Sequence, residues 1–200
     1  MISSKKLQSL LKQATYKTLD AFHHDYGDEH IYILSLFTSG DYRYVVDSIS
    51  TTEGLKRVAQ KYLTYPNFQD WGEINTAMEK LKWSQPDSPH HIRYQYFFDD
   101  ANELIETFWE ETPETDDDYM KTCQLIHESC ELVLRDVRDK DLVADDVVLN
   151  ILMGDQSDEE RYINAERINR PDVLRQYRKE LVIDEVRLEY LRRTYWSWND

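Results

Sequence analysis

Hydrophobic residues recur along this chain with two spacings, and each spacing predicts a different element. Apolar positions three or four residues apart, beginning at Leu7, predict an amphipathic first helix with lysines on its outer side. Two β-branched and aromatic runs follow, Ile31–Thr38 and Tyr42–Ile49, and Ser39-Gly40-Asp41 separates them. Two such runs around a short glycine-containing turn are typical of a β-hairpin.

Further along the chain, helical spacing dominates and several helix starts are marked. A hydroxyl residue followed three positions later by Glu is typical of a helix N-terminus, and it occurs at Ser50–Glu53 and at Ser157–Glu160. Pro171 marks the start of a long last helix that would carry Leu188 and Leu191 on its apolar face. Strand-like runs also occur, and we expect strands at Tyr94–Phe98 and Val147–Met153.

These elements predict an α+β fold in which helices clearly outnumber strands. We expect a small, mainly antiparallel sheet that includes the hairpin at 31–49, packed against several amphipathic helices. A short helix at Thr76–Leu81 interrupts the irregular segment 65–91. No repeat, linker or low-complexity segment divides the chain, so a single domain spanning residues 1–200 is the prediction.

Charge changes this picture at one place, the stretch Asp99–Asp118, which holds ten carboxylates and no Lys or Arg. The whole chain has a net charge of −15, so this stretch equals two-thirds of it. The first half reads as an amphipathic helix with an acidic outer face, and Asp116–Asp118 favour the N-terminus of a following helix. Such a field attracts basic partners and repels nucleic acid and anionic membranes. A charged surface that serves only solubility is the alternative.

Candidate partner-binding residues are the outward acids of this stretch and the nearby tryptophans. They are Glu103, Glu106, Trp109, Glu110, Glu111, Glu114 and Trp83. We expect steering by the acids and burial of the aromatic rings to bind a basic protein.

Other chemistries lack their usual signatures. The sequence has no G-x-S-x-G, no nucleotide-binding glycine motif and no zinc-ligand spacing, so we predict no catalytic residues, no cofactor and no metal. Cys123 and Cys130 would lie about 10 Å apart on a helix, too far for a disulfide. No run is apolar enough to cross a membrane, and no cleavable leader is recognised, so a cytoplasmic protein is expected.

Two alternatives remain open. An enzyme of unknown reaction would place its site in the segment 71–91, where Asp87, His90 and His91 would have to converge in a pocket. A self-associating subunit would use the last helix with Trp196 and Trp198.

Three short motifs accompany the Tyr-rich hairpin: Thr52-Glu53-Gly54-Leu55, Lys82-Trp83-Ser84 and Gly154-Asp155-Gln156-Ser157. With them, the stretch from about Ala14 to Leu181 resembles an uncharacterised bacterial family catalogued as a domain of unknown function. Comparable small acidic α+β proteins, such as the SUKH-type group, are regarded as immunity proteins that neutralise toxins. The resemblance therefore implies a non-enzymatic binding protein with a toxin domain as partner, and it supplies no catalytic residues.

Overall fold

A computed structural model describes residues 4–112 and 115–194 of the chain. Within these residues, eight α-helices and four strands form. In chain order they are α1 (Ser4–Tyr26), β1 (Ile31–Thr38), β2 (Val45–Thr51), α2 (Thr52–Tyr62), α3 (Ile74–Leu81), β3 (His90–His91), α4 (Asp99–Glu111), α5 (Asp116–Asp139), β4 (Val148–Met153), α6 (Asp158–Glu166), α7 (Pro171–Arg178) and α8 (Glu185–Thr194).

The four strands form one mixed sheet in the order β3-β2-β1-β4. β1 pairs antiparallel with β2 and parallel with β4, and β3 adds a two-residue antiparallel pairing to β2. The predicted α+β fold with a hairpin at 31–49 is therefore confirmed. The second hairpin strand begins at Val45 rather than at Tyr42, because Tyr42 has a φ of 55° that interrupts the extended backbone.

Helices cover both faces of the sheet. Leu34 and Leu36 of β1 pack with residues of α1, α4 and α5, whereas Ile33 packs with residues of α6, α7 and α8. A strand buried on both sides needs apolar residues at successive positions, which explains the nearly continuous apolar run of β1. None of the described helices has the length and apolar character that a membrane crossing requires.

Asparagine side chains cover the free edge of β4. Asn169 accepts a hydrogen bond from the Leu149 N–H at 2.8 Å and donates one to the Leu149 carbonyl at 2.6 Å. Asn164 donates to the Ile151 carbonyl at 2.9 Å, and the Ile151 N–H donates to the side chain of Asn150. Because unpaired edge groups promote pairing with other chains, these amides stabilise β4 as the outer strand.

Helix starts agree largely with the sequence. The Ser157–Glu160 capping box at α6 is confirmed in both of its hydrogen bonds. At α2 the cap is Thr51 rather than Ser50, since the Thr51 hydroxyl accepts from the Gly54 N–H. Thr115 caps α5, and Asp116–Asp118 occupy its first turn, where negative charge is favoured.

The predicted strand at Tyr94–Phe98 is wrong, because Gln95–Phe98 forms a 3₁₀ turn. The Tyr94 N–H donates to the buried carboxylate of Asp47 on β2 instead of to a strand neighbour, and the Phe97 N–H donates to the Tyr94 carbonyl. The third strand is the short β3 instead.

The single long last helix is also wrong, since α7 ends at Arg178 and α8 starts at Glu185. Backbone N–H groups between them are taken by acids at the start of α6: Val182 donates to Asp158 at 2.9 Å, and Asp184 donates to Glu159 at 2.8 Å. Leu191 still packs on the same side of the sheet as Leu188, as predicted. Trp196 and Trp198 lie outside the described residues.

We predict that Asn169→Leu lowers the free energy of unfolding by roughly 2–4 kcal/mol, because two buried backbone groups of Leu149 lose their partners. Urea denaturation followed by circular dichroism measures this change. Asn75→Leu, at an exposed position of α3, is the matched control and should change stability by less than about 0.5 kcal/mol. Equal stabilities for the two variants would contradict the edge-sealing role of Asn169.

Candidate functional site

The acidic face is the outer surface of α4, formed by Glu103, Glu106, Glu110 and Glu111. All four side chains are exposed, while Ala101, Leu104, Ile105 and Phe108 are buried beneath them as the sequence predicts. Within the described residues, none of the four carboxylates forms an ion pair. Glu114, the remaining predicted acid, lies outside the described residues.

Trp109 borders the acidic face and is half-buried. Its indole Nε1–H donates to the Tyr42 carbonyl at 3.2 Å, and the guanidinium of Arg43 lies 4.2 Å from its ring centre. Trp109 and Arg43 line a surface groove of about 590 Å³ together with Asn102, Glu103 and Glu106. The structure thus brings Trp109 together with two of the predicted acids.

Asn102 fixes α4 to the sheet. Its side-chain Oδ1 accepts from the Val45 N–H at 2.8 Å, and its Nδ2 donates to the Val45 carbonyl at 3.0 Å. Since both bonds are made to the first residue of β2, the acidic face is held in one orientation relative to the sheet.

Trp83 does not lie beside the acidic face. Its ring makes edge contacts with Tyr32 at 5.7 Å and Tyr177 at 4.8 Å, on the side of the sheet that α6 and α7 cover. Trp109 packs on the other side, with α1 and α5. The two tryptophans therefore pack on opposite sides of the sheet.

The side chains of the alternative site in segment 71–91 do not converge. His90 pairs with Glu29 at 2.9 Å, whereas the ring of His91 packs edge-on against Phe37 and its Nδ1 bonds the Ser48 hydroxyl at 3.0 Å. Burial lowers the pKa of both histidines.

The Asp87 carboxylate accepts hydrogen bonds from the hydroxyls of Tyr62 and Ser84, and these bonds involve neither His90 nor His91. No observation therefore favours acid–base chemistry at this segment.

A different site forms where the parallel strands β1 and β4 end side by side, at Thr38 and Met153. The loops that follow them and one side of α5 enclose a cavity of about 370 Å³, which we call the carboxyl-end cavity. Its lining consists of Gly40, Tyr42, Tyr119, Met120, Cys123, Gln124, His127, Glu128, Met153, Gly154, Asp155, Gln156 and Glu160. The carboxyl ends of parallel strands are common positions for ligand binding.

Two loop residues at this cavity adopt left-handed backbone conformations. Tyr42, in the loop after β1, has a φ of 55°, and Asp155, in the loop after β4, has a φ of 61°. Asp tolerates this region, but a bulky Tyr adopts it at a cost of about 1–3 kcal/mol. The Tyr42 hydroxyl is held by a 2.7 Å hydrogen bond with Nδ1 of His127, so α5 holds the strained loop in place.

The chemistry of the lining favours binding over nucleophilic attack. Burial, with a smaller contribution from the positive charge of Arg167, lowers the pKa of His127 to about 4, so its imidazole is neutral at pH 7. Burial also raises the pKa of the Cys123 thiol, which therefore stays protonated. Cys123 and Cys130 are both free thiols. Across the described residues, no group of three His, Cys, Asp or Glu side chains is placed to hold a metal ion.

Gln156 is the least satisfied polar group of the lining. Its side chain is buried, with 9% of its surface exposed, and its Oε1 accepts from the Met153 N–H at 3.0 Å. This bond orients the amide, and its Nε2 has no hydrogen-bond partner among the described residues. A buried amide donor without an acceptor is costly, so the site favours a molecule that supplies one.

The sequence pattern does not predict this cavity, although two of the segments that form it stand out in the sequence. Gly154-Asp155-Gln156-Ser157 was one of the motifs that carried the family resemblance, and Cys123 and His127 stand four residues apart on one helix. What the sequence lacks is the parallel pairing that places these segments beside Gly40 and Tyr42.

The fold and the site define an α+β protein with a mixed four-stranded sheet, an acidic helix face and a cavity at the carboxyl ends of the strands. The chain belongs to the family described as a domain of unknown function, DUF4303, whose model matches residues 11–170. That match includes every residue of the acidic face and of the carboxyl-end cavity. No curated protein and no solved structure matches the chain.

We predict that His127→Gln reduces the loss of stability on acidification. Because the folded-state pKa lies near 4 and that of an unfolded His near 6.5, protonation favours the unfolded chain. Protonation of His127 should therefore lower the unfolding free energy of the wild-type protein by up to about 3 kcal/mol as the pH falls from 7 to 4, and His127→Gln should lack this loss. Urea titrations at several pH values measure the slope, with exposed His24→Gln as control. Parallel profiles for His127→Gln and wild type would contradict this assignment.

Proposed function

We propose that the protein is a non-enzymatic binding protein that docks a basic protein surface on the acidic face of α4. The observation that carries this proposal is the absence of ion-pair partners for Glu103, Glu106, Glu110 and Glu111 in the described part of the chain. Unpaired carboxylates on one rigid helix leave their whole field available to a partner.

Some acids elsewhere in the molecule are paired instead. Glu131 is paired with Arg135 at 2.6 Å and with Arg167 at 3.1 Å, and Asp136 is paired with Lys12 at 2.8 Å. Their charge is locally compensated, so it contributes little to attraction at a distance. The acidic face lacks such compensation. Asp70, Glu73 and Glu79 are also unpaired within the described residues, but the acidic face places its four carboxylates on one helix beside Trp109, and this supports docking rather than a general effect on solubility.

Groups next to the acids would complete the interface. Trp109 presents part of an aromatic ring beside Glu106, and tryptophans of this kind often contribute strongly to binding at interfaces. The acids would accelerate encounter and exclude anionic partners such as nucleic acid, while the ring would add contact area.

The finer proposal is that the partner is a toxin domain and that the protein acts as an immunity protein in the bacterial cytoplasm. Its support is the acidic α+β character of the chain and the resemblance to small acidic immunity proteins. In such a role the acidic face would cover a basic functional surface of the toxin.

The test compares two triple charge reversals of equal size. Glu103→Lys/Glu106→Lys/Glu110→Lys removes the proposed docking charge, and Asp70→Lys/Glu73→Lys/Glu79→Lys makes the same change at exposed positions around α3. Both variants and the wild-type protein are used for affinity capture from an extract of the source organism at low salt. The captured basic protein is then purified for stopped-flow measurement of its association rate.

We expect the α4 variant to associate at least about tenfold more slowly and with a weaker salt dependence, and the α3 variant to resemble the wild type. Equal association rates for the two variants, or equal recovery of the partner by both in the affinity capture, would contradict the proposal.

A further inference from the structure

We propose that the carboxyl-end cavity binds a small, uncharged, ring-containing molecule that carries a hydrogen-bond acceptor, of the class of aromatic carboxamides. This site is separate from the acidic face and does not depend on the docking proposal. The size of the cavity, the orientation of its Gln156 amide and the charge of its lining each restrict which ligand can bind.

The size and lining of the cavity suit a single ring or a small fused ring. A volume of about 370 Å³ lies in the range of small-molecule sites, which are mostly apolar and aromatic with a few placed polar groups. Tyr42, Tyr119, Met120 and Met153 supply the apolar contacts here. Methionine side chains adapt to flat rings and make favourable sulfur–aromatic contacts.

Gln156 defines the polar contact. The Met153 N–H holds Oε1 of its amide, so Nε2 is the end that lacks a partner. A ligand carbonyl would accept a hydrogen bond from this donor and remove the cost of leaving it unpaired. A ligand with an acceptor is therefore favoured over a purely apolar ligand of the same size, which would leave the Gln156 donor unsatisfied.

Charge excludes anions from the same cavity. Three carboxylate residues, Glu128, Asp155 and Glu160, belong to its described lining, and no Lys or Arg does. The nearest histidine, His127, is neutral at pH 7 and already bonded to Tyr42, so it provides no compensating positive charge. Of the three acids, only Glu160 has an ion-pair partner among the described residues, Arg187 at 3.9 Å. A carboxylate or phosphate ligand would be repelled, while a carboxamide of identical shape would not.

The methionine methyl groups of this chain can report on binding at this site. Among the described methionines, Met120 and Met153 line the carboxyl-end cavity, and Met78 packs in a separate cluster with α2 and α3. Selective ¹³C labelling of the methionine methyl groups, assigned by Met→Leu substitutions, therefore reports occupancy and includes an internal control. Benzamide and benzoate are the probes, because they share a shape and differ in charge.

We expect benzamide to shift the methyl signals of Met120 and Met153 in a saturable manner with millimolar affinity, as small fragments do, and to leave Met78 unchanged. Benzoate should bind at least about tenfold more weakly. Absence of saturable shifts with benzamide, equal binding of the two probes, or equal shifts at Met78 would overturn the proposal. The titrations use the unmodified protein, and only the assignment of the methyl signals needs the Met→Leu variants to fold.

Gln156→Glu then tests the polar contact. The substitution keeps an oxygen that accepts from the Met153 N–H and replaces the Nε2 donor by an acceptor. Binding of N,N-dimethylbenzamide, which has a carbonyl acceptor and no N–H to pair with the new oxygen, should therefore weaken about tenfold or more. Exposed Gln69→Glu is the control with the same charge change. Unchanged affinity in Gln156→Glu, with the Met78 signal and the melting temperature preserved, would show that Gln156 does not contact the ligand.

Discussion

Parallel pairing between β1 and β4 is the constraint on which the rest of the structure depends. β1 is the central strand of the sheet with helices on both sides, and β4 becomes an outer strand that must be sealed. Asn150, Asn164 and Asn169 supply the missing hydrogen bonds along that edge. The same pairing sets the ends of β1 and β4 at one level, and the two following loops then enclose the carboxyl-end cavity.

The two proposed sites are separate in chemistry but share a structural support. Tyr42 contributes its ring to the cavity, and its carbonyl accepts the hydrogen bond of Trp109 at the acidic face. Trp109 also packs against Tyr119, with ring centres 5.2 Å apart, and Tyr119 lines the cavity. The strained loop after β1 therefore lies between the acidic face and the carboxyl-end cavity.

Features with local causes could be predicted from the sequence. The apolar face of α4, the hairpin and the capping box at Ser157 depend on neighbouring residues, and the structure confirms each of these predictions. Errors arose where distant side chains capture backbone groups. Asp47 does so at Tyr94, and Asp158 and Glu159 do so between α7 and α8. The same reason explains the missed cavity, since its walls come from three segments far apart in the chain. It also explains why Trp83 and Trp109 were placed on one surface, although the sheet separates them.

Amide hydrogen exchange measured by NMR tests the central claim, that β4 is a sealed and rigid part of the core. The amides of Leu149 and Ile151 point to the free edge of the sheet, where side chains are their described acceptors. The account predicts that both exchange as slowly as the central amides of β1, through global unfolding only. Rapid exchange of Leu149 and Ile151 while β1 stays protected would show that the edge opens locally, and it would contradict this account.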